Sequence, residues 1–291
     1  MSGSDSVSAA HDLDAAYRWR ELGMDDLEGA VRLSAALGWP HRREDWQQLL
    51  QVGRGVALEH NDRLIGTGLC MPQGALATIG LIVIDEQWRG HGLGKRMMAR
   101  TMALAGELPM LLVATVAGTP MYEKFGFVRR NSVAQYQGLA QAVGEPDPAL
   151  AAMTAADRPS IERLADAGSG RAAVLDMALT TAESVKVCRR DERVVGFGMR
   201  RRFGRGEVIG PVVAETVEQA QALIDALLFE AEGQFVRLDT LGEAIDEAWL
   251  AERGLACADR IIQMSRGEVA PVAHPHTPVV QQFLLTTQAL G

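Results

Sequence analysis

The chain repeats itself at an interval of about 130 residues. Asp62–Leu69 (DRLIGTGL) matches Glu192–Met199 (ERVVGFGM), and Thr78–Glu86 (TIGLIVIDE) matches Val208–Thr216 (VIGPVVAET), both at an offset of 130. Leu111–Thr115 (LLVAT) then matches Val236–Thr240 (VRLDT), and Glu123–Gly126 (EKFG) meets Ala251–Gly254 (AERG), at offsets of 125 and 128. Each match is too short to mean anything alone. Four in the same order at nearly one offset mark a duplicated domain. Halving 291 residues leaves each copy long enough to bury a core of its own.

Within the first copy, Tyr17–Leu22 reads as a strand. Met24–Leu37 reads as an amphipathic helix offering Leu27, Val31, Leu33 and Leu37 to a core. Pro40 breaks the chain, and Arg43–Val52 suits a second short helix. Gly55–Met71 reads as a hairpin around His60-Asn61-Asp62, since Asn and Asp favour the turn. Thr78–Ile84 is a strand too apolar to be half-exposed. A helix from Leu93 to about Ala105 follows, then a strand Met110–Thr115, a short helix Pro120–Phe125 and a returning strand from Phe127. This alternation predicts an α/β layer domain, made twice. The expected organisation is a flexible tail (1–14), a first domain (15–142), a linker (143–152) around the proline-rich GEPDPALAA and a second domain (153–268). The last stretch (269–291) reads as a connector, PVAHPHTP, followed by QQFLLTTQAL as an edge strand or a segment packed between the domains.

Charge and cysteine usage exclude several function classes. The net charge is −8, with 14 basic and 15 acidic residues in 1–142 but 15 and 22 in 143–291. Nucleic-acid binding calls for a basic stripe, so no nucleic-acid partner is expected. Cys70, Cys188 and Cys257 stand far apart with no metal-ligand spacing, so neither a metal site nor a disulfide framework is expected. No signal-like segment opens the chain and no apolar run reaches ~18 residues, which predicts a cytoplasmic protein without a membrane partner.

The most chemically suggestive stretch is Arg89-Gly90-His91-Gly92-Leu93-Gly94, between the apolar strand and the helix behind it. A helix start leaves backbone N–H groups without partners and carries partial positive charge, so it suits an anion. Glycines keep side chains away from such an anion, and Arg89 adds a permanent charge. The spacing is not a dinucleotide fingerprint, and Lys95 has no adjoining Ser or Thr to make a Walker loop. A glycine turn that merely reverses the chain would look the same. The second copy places Gln219, Ala222 and Ile224 where the first has Arg89, Gly92 and Gly94, so whatever this turn does belongs to the first copy. The basic run Arg200–Gly206 reads as a solvated hairpin tip, and Trp39 and Trp46 read as core.

RGHGLG after an apolar strand resembles the acyl-CoA signature of the GNAT N-acetyltransferase superfamily. Ala114–Phe127 (ATVAGTPMYEKFGF) resembles its second signature, a tyrosine on a short helix before a Gly-Phe strand start. The whole chain is similar to bacterial tandem-GNAT proteins with one competent and one degenerate domain. The resemblance implies two α/β domains in tandem, each a mixed, mostly antiparallel sheet flanked by helices. It implies that acetyl-CoA lays its pantetheine arm along Ile82, Val83 and Ile84, and its diphosphate on Arg89, Gly90, His91, Gly92, Leu93, Gly94 and Lys95. Tyr122 would protonate the departing thiolate. The implied reaction is acetyl transfer to a small-molecule amine by direct attack, with no metal. Two alternatives are a non-catalytic acyl-CoA-binding regulator and a protein-lysine acetyltransferase. No base for the amine stands out; His41, Glu44, Glu59 and Asp239 are the candidates.

Overall fold

Both copies turn the same hairpin in the same way. In the computed structural model, which describes residues 17–169, 174–269 and 280–290, Asn61 and Asp62 hold φ of 49° and 59°. Asp191 and Glu192, 130 residues later, hold 49° and 61°. Two consecutive left-handed residues make the bend whose twist matches that of paired strands.

The first copy runs β1 (Tyr17–Leu22), α1 (Leu27–Ala35), α2 (Arg43–Val52), β2 (Arg54–His60), β3 (Arg63–Pro72), β4 (Ala77–Ile84), α3 (Leu93–Ala103), β5 (Met110–Ala114), α4 (Thr119–Lys124) and β6 (Val128–Leu139). The second repeats it as β7 (Leu150–Ala152), α5 (Arg158–Ser169), α6 (Leu175–Thr181), β8 (Ala182–Arg190), β9 (Arg193–Phe203), β10 (Gly206–Ala214), α7 (Val217–Glu230), β11 (Phe235–Leu241), α8 (Glu247–Ala251) and β12 (Ala256–Arg266). A final strand, β13 (Gln281–Leu284), has no counterpart among the described residues of the first copy. The tail expected at 1–14 lies outside the described residues. Two boundaries differ from expectation. The end of the expected linker forms β7, which pairs with β8 from Leu150↔Cys188 to Ala152↔Lys186. The helix expected from Met24 begins at Leu27, because the Asp26 carboxylate folds back onto the Gly23 N–H at 2.8 Å and tightens the first turn.

That turn is duplicated too. Asp157 accepts from the Thr154 N–H at 2.8 Å, and each aspartate is gripped by an arginine, Arg20 on Asp26 at 2.6 and 2.7 Å and Arg189 on Asp157 at 2.6 Å. Burial opposes the charge on Asp26, but the Arg20 hydrogen bonds and the Gly23 N–H outweigh it and hold the carboxyl below its usual range. A depressed folded-state pKa contributes stability above the unfolded value of about 4, and this is lost as pH falls through the folded value. Asp26→Asn should cost about 1–3 kcal/mol at neutral pH. The difference from wild type should shrink below pH 4, which urea denaturation at several pH values reads directly.

Glycines at alternate positions seat the main helix of each copy. A Cβ on Gly68 of β3 would lie 2.2 Å from Thr101 Oγ1 and 2.9 Å from Ile82 Cδ1; on Gly198 of β9 it would lie 3.1 Å from Leu227 Cδ1. The G-x-G of each repeat is therefore the floor on which α3 or α7 rests. Gly68→Val should destabilise the fold by about 1–3 kcal/mol through overpacking, measurable as a lower denaturation midpoint.

The described residues form two compact units, 17–71 with 79–106, and 72–78 with 107–169, 174–269 and 280–290. The first carries strands in the order β1-β2-β3-β4, with β1, β2 and β3 antiparallel. The second carries β5-β12-β6-β11-β13-β10-β9-β8-β7, mostly antiparallel. Units and sequence copies divide the chain differently because the copies exchange their last strands. β12, from the second copy, pairs with β5 from Ile262↔Ala114 to Arg266↔Met110, and β6, from the first, pairs with β11 from Phe235↔Leu139 to Leu241↔Val133. The C-terminal segment, expected as an edge strand or as one packed between the domains, forms an interior strand: β13 lies between β11 and β10.

Candidate functional site

β4 bends where an ordinary strand would run straight. Leu81 holds φ of 52°, a left-handed conformation that costs a leucine on the order of 1–3 kcal/mol, and Thr67 Oγ1 donates to its carbonyl at 3.0 Å. Nothing in the sequence marks Leu81, since the residue type carries no turn signal. Beyond it, the Ile82 and Ile84 side chains join the cluster of Leu58, Ile65, Leu93 and Met97, and Val83 is buried as well. All three side chains are taken up by packing, so what they can offer a ligand is backbone.

The turn after β4 is pinned from below. Asp85 accepts from Arg32 at 3.0 Å, Arg63 at 3.1 Å and the Gln87 N–H at 3.3 Å. Burial opposes its charge, and the Arg32 hydrogen bond, the Gln87 N–H and the Arg63 charge together keep the carboxyl below its ordinary range. Arg89 Nε donates to Ile84 O at 3.3 Å, which ties the turn back to the strand end. Gly90 and Gly92 take φ of 86° and 74°, so the backbone itself requires glycine at both.

Gly94 is different. Its φ is not positive, and a Cβ built there meets no atom of the described residues within 4 Å, so neither conformation nor packing among them calls for glycine. Open space also faces Gly90 and Gly92. Around this space Arg89, Gly90, His91, Gly92 and Lys95 are exposed while Leu93 is buried under the helix. No side chain caps the start of α3, so its first N–H groups face the same opening. Arg96 and Arg100, one turn apart, stack on Trp19 at 5.3 and 4.7 Å and add cations to this helix; their i, i+4 spacing was the available signal in the sequence.

The second copy closes the equivalent helix start with its own side chains. Thr216 Oγ1 accepts from the Gln219 N–H at 3.3 Å, while Gln219 Oε1 accepts from the N–H groups of Glu215 and Thr216 at 3.0 and 3.1 Å. This reciprocal box removes the donors that an anion would use.

Tyr122 belongs to the other compact unit, on α4. Gly118 makes room for its ring, since a Cβ there would stand 2.9 Å from Tyr122 Cε2, and Phe127 packs edge-on at 6.3 Å. Burial pushes its phenol up to about 12, so it carries its proton throughout the physiological range, and among the described residues its hydroxyl has no hydrogen-bond partner.

Two of the four base candidates are committed elsewhere. Glu59 is paired with Arg20, with Arg18 at 3.8 Å, and Asp239 is fully buried against Arg237 at 2.9 Å and Gln288 at 2.9 Å. Glu44 is exposed on α2, and His41 stands between the rings of Trp39 and Trp46 at 6.3 and 6.2 Å. Trp46 is core, donating Nε1 to Ser34 Oγ at 3.1 Å. The basic run at 200–206 does form a hairpin tip between Phe203 and Gly206 with Arg202 and Arg205 exposed, but Arg201 is buried and donates to Thr286 O at 2.6 Å, and Arg200 pairs with Glu207. Among the described residues there is no cluster of three or more metal-ligating side chains, and no helix long and apolar enough to cross a membrane.

Residues 52–129 match a family model described as an acetyltransferase (GNAT) domain, and residues 163–277 match a second with the same description. The chain belongs to the GNAT acetyltransferase family. It carries two GNAT domains in tandem and is a GNAT-type N-acetyltransferase. It is 26% identical over 288 residues to the uncharacterized N-acetyltransferase YitH of Bacillus subtilis (strain 168), a match covering 93% of this chain and 97% of that protein. In fold it is similar to a putative acetyltransferase from Pyrococcus horikoshii, with a TM-score of 0.76 and 17% identity over 95% of this chain and 96% of that one. A tandem GNAT protein from the clavulanic acid biosynthesis pathway shares the fold at a TM-score of 0.59 and 14% identity, covering 87% of this chain and all of the other (100%).

Proposed function

We propose that the first GNAT copy binds acetyl-CoA and transfers its acetyl group to a small-molecule amine in the cytoplasm, and that the second copy holds no acyl-CoA. The observation that carries this reading is the uncapped start of α3 behind a glycine turn, with open space where Gly94 would carry a side chain. That cradle fits a diphosphate: N–H donors, the exposed cations Arg89 and Lys95, and no side chain in the way.

When bound, acetyl-CoA supplies an activated acyl thioester. Arg89 to Lys95 would hold the diphosphate, and the backbone of Ile82 to Ile84 would take the pantetheine arm. An N–H of the bent strand would face the thioester oxygen as charge develops there. The neutral amine attacks the carbonyl carbon, the C–S bond breaks, and the Tyr122 hydroxyl gives its proton to the departing sulfur. The proton lost by the amine goes to solvent, from which Tyr122 is reprotonated. A phenol held well above its ordinary pKa stays loaded as a donor between turnovers.

The experiment is thiol release from acetyl-CoA with a panel of small amines and a lysine-containing peptide. The reading expects release that depends on one or more small amines. Release with the peptide alone would make the protein a lysine acetyltransferase. Saturable coenzyme A binding without release by any acceptor would make it a non-catalytic binder.

A further inference from the structure

In the second copy, the place that corresponds to the pantetheine arm is taken by the chain itself. β10 and β11 begin as a parallel pair, Glu207↔Val236 to Ile209↔Leu238, and then part. β4 and β5 begin as a parallel pair in the same way, at Ala77↔Met110 and Thr78↔Leu111. Where β10 and β11 part, β13 enters as an antiparallel strand, pairing Val212↔Leu284, Val213↔Gln282 and Ala214↔Gln281 on one side and Thr240↔Leu284 on the other. On the proposed function above, acetyl-CoA adds along β4 as a strand would, and β13 adds along β10, the duplicate of β4.

The slot is shaped for peptide backbone. A Cβ on Gly210 would lie 2.0 Å from the Leu285 carbonyl oxygen, so only a bare backbone lets the segment pass. Leu285 N–H donates to Asp239 O at 2.9 Å, and the buried Arg201 donates to Thr286 O at 2.6 Å. Gln288 reaches Asp239 at 2.9 Å, and Leu290 O accepts from Gln73 Nε2 at 3.0 Å and Thr78 Oγ1 at 3.1 Å. Phe283, Leu284, Leu285 and Leu290 are all buried. Strand addition of this kind draws affinity from main-chain hydrogen bonds and specificity from pockets for alternate side chains.

We propose that the second copy is a peptide-binding domain in which the acyl-CoA slot has become a strand site, with residues 280–290 of the same chain as its ligand. This rests on the acyl-CoA reading only for the equivalence of the two slots.

The test uses the full chain with Leu284→Asp, which puts a charge at a fully buried position of the segment and leaves the slot unaltered. A fluorescent peptide of wild-type residues 280–291 should bind this variant at least ~10-fold tighter than wild type, whose slot is filled. Adding Gly210→Ala to the variant should remove that binding. Equal, absent or Gly210-insensitive peptide binding by a folded Leu284→Asp chain overturns the proposal. Native-state hydrogen exchange on the unmodified chain decides the matter if the variant does not fold. A ligand strand opens as a separate unit, so Phe283 to Leu285 amides should exchange before those of β10 and α7. Exchange only together with β10 and α7 makes the segment an integral strand and overturns the proposal. Coenzyme A affinity, measured in the same samples, reports on the first copy independently.

Discussion

Gly94→Val should abolish coenzyme A binding and leave the fold intact. A Cβ at this position meets no atom of the described residues within 4 Å, and the backbone there has no positive φ, so the folded chain has no objection to a side chain. A branched side chain would stand in the space assigned to the diphosphate and displace it from the N–H groups of α3. Losing two charge-assisted hydrogen bonds, at about 1.5–3 kcal/mol each, lowers affinity by at least ~100-fold. Ala222→Val, within the second copy's helix α7, is the control, where a β-branched residue costs only a few tenths of a kcal/mol in propensity. The check is calorimetric titration of both variants with coenzyme A, with thermal unfolding run in parallel. Loss of affinity by Ala222→Val, or none by Gly94→Val, contradicts the assignment.

Tyr122→Phe should separate chemistry from binding. The ring, its edge contact with Phe127 and the space above Gly118 are kept, and only a hydroxyl with no partner among the described residues is removed. Turnover should fall by ~10²–10⁴-fold, the usual contribution of a general acid, while coenzyme A affinity stays within a few fold. In wild type, a phenol pushed up to about 12 keeps its proton across the assay range. Turnover should therefore rise with pH as the amine deprotonates, with no fall from loss of the Tyr122 proton below about pH 11. Unchanged turnover in the phenylalanine variant makes Tyr122 a packing residue, and a parallel loss of affinity makes it a cofactor contact.

Much of the fold could be read from local chemistry. Asn61-Asp62 announced a hairpin, and RGHGLG carried its glycine turn and its missing side chain in the letters themselves, whereas the role of Gly66 and Gly68 as the floor of a helix appeared only in the packing. What escaped was set by partners far away in the chain. Arg201 reads as one of four solvated arginines because its acceptor, the Thr286 carbonyl, lies 85 residues on. Four residues of β13 are the same letters whether they pair on one side or two. Exchange of β6 and β12 is invisible for a further reason: duplicated strands satisfy the same hydrophobic pattern in either copy, so pairing follows tertiary geometry and not sequence. Leu81 is the case that bears most on function, since its left-handed backbone bends the strand proposed to carry the thioester and leucine gives no notice of it.

The difference between the two helix starts, one uncapped and open and the other closed by Thr216 and Gln219, leads to one number. Isothermal titration of the wild-type chain with coenzyme A should give a stoichiometry of one per chain, and Gly94→Val should reduce it to none. Two sites per chain, or one site that survives Gly94→Val, would contradict the account.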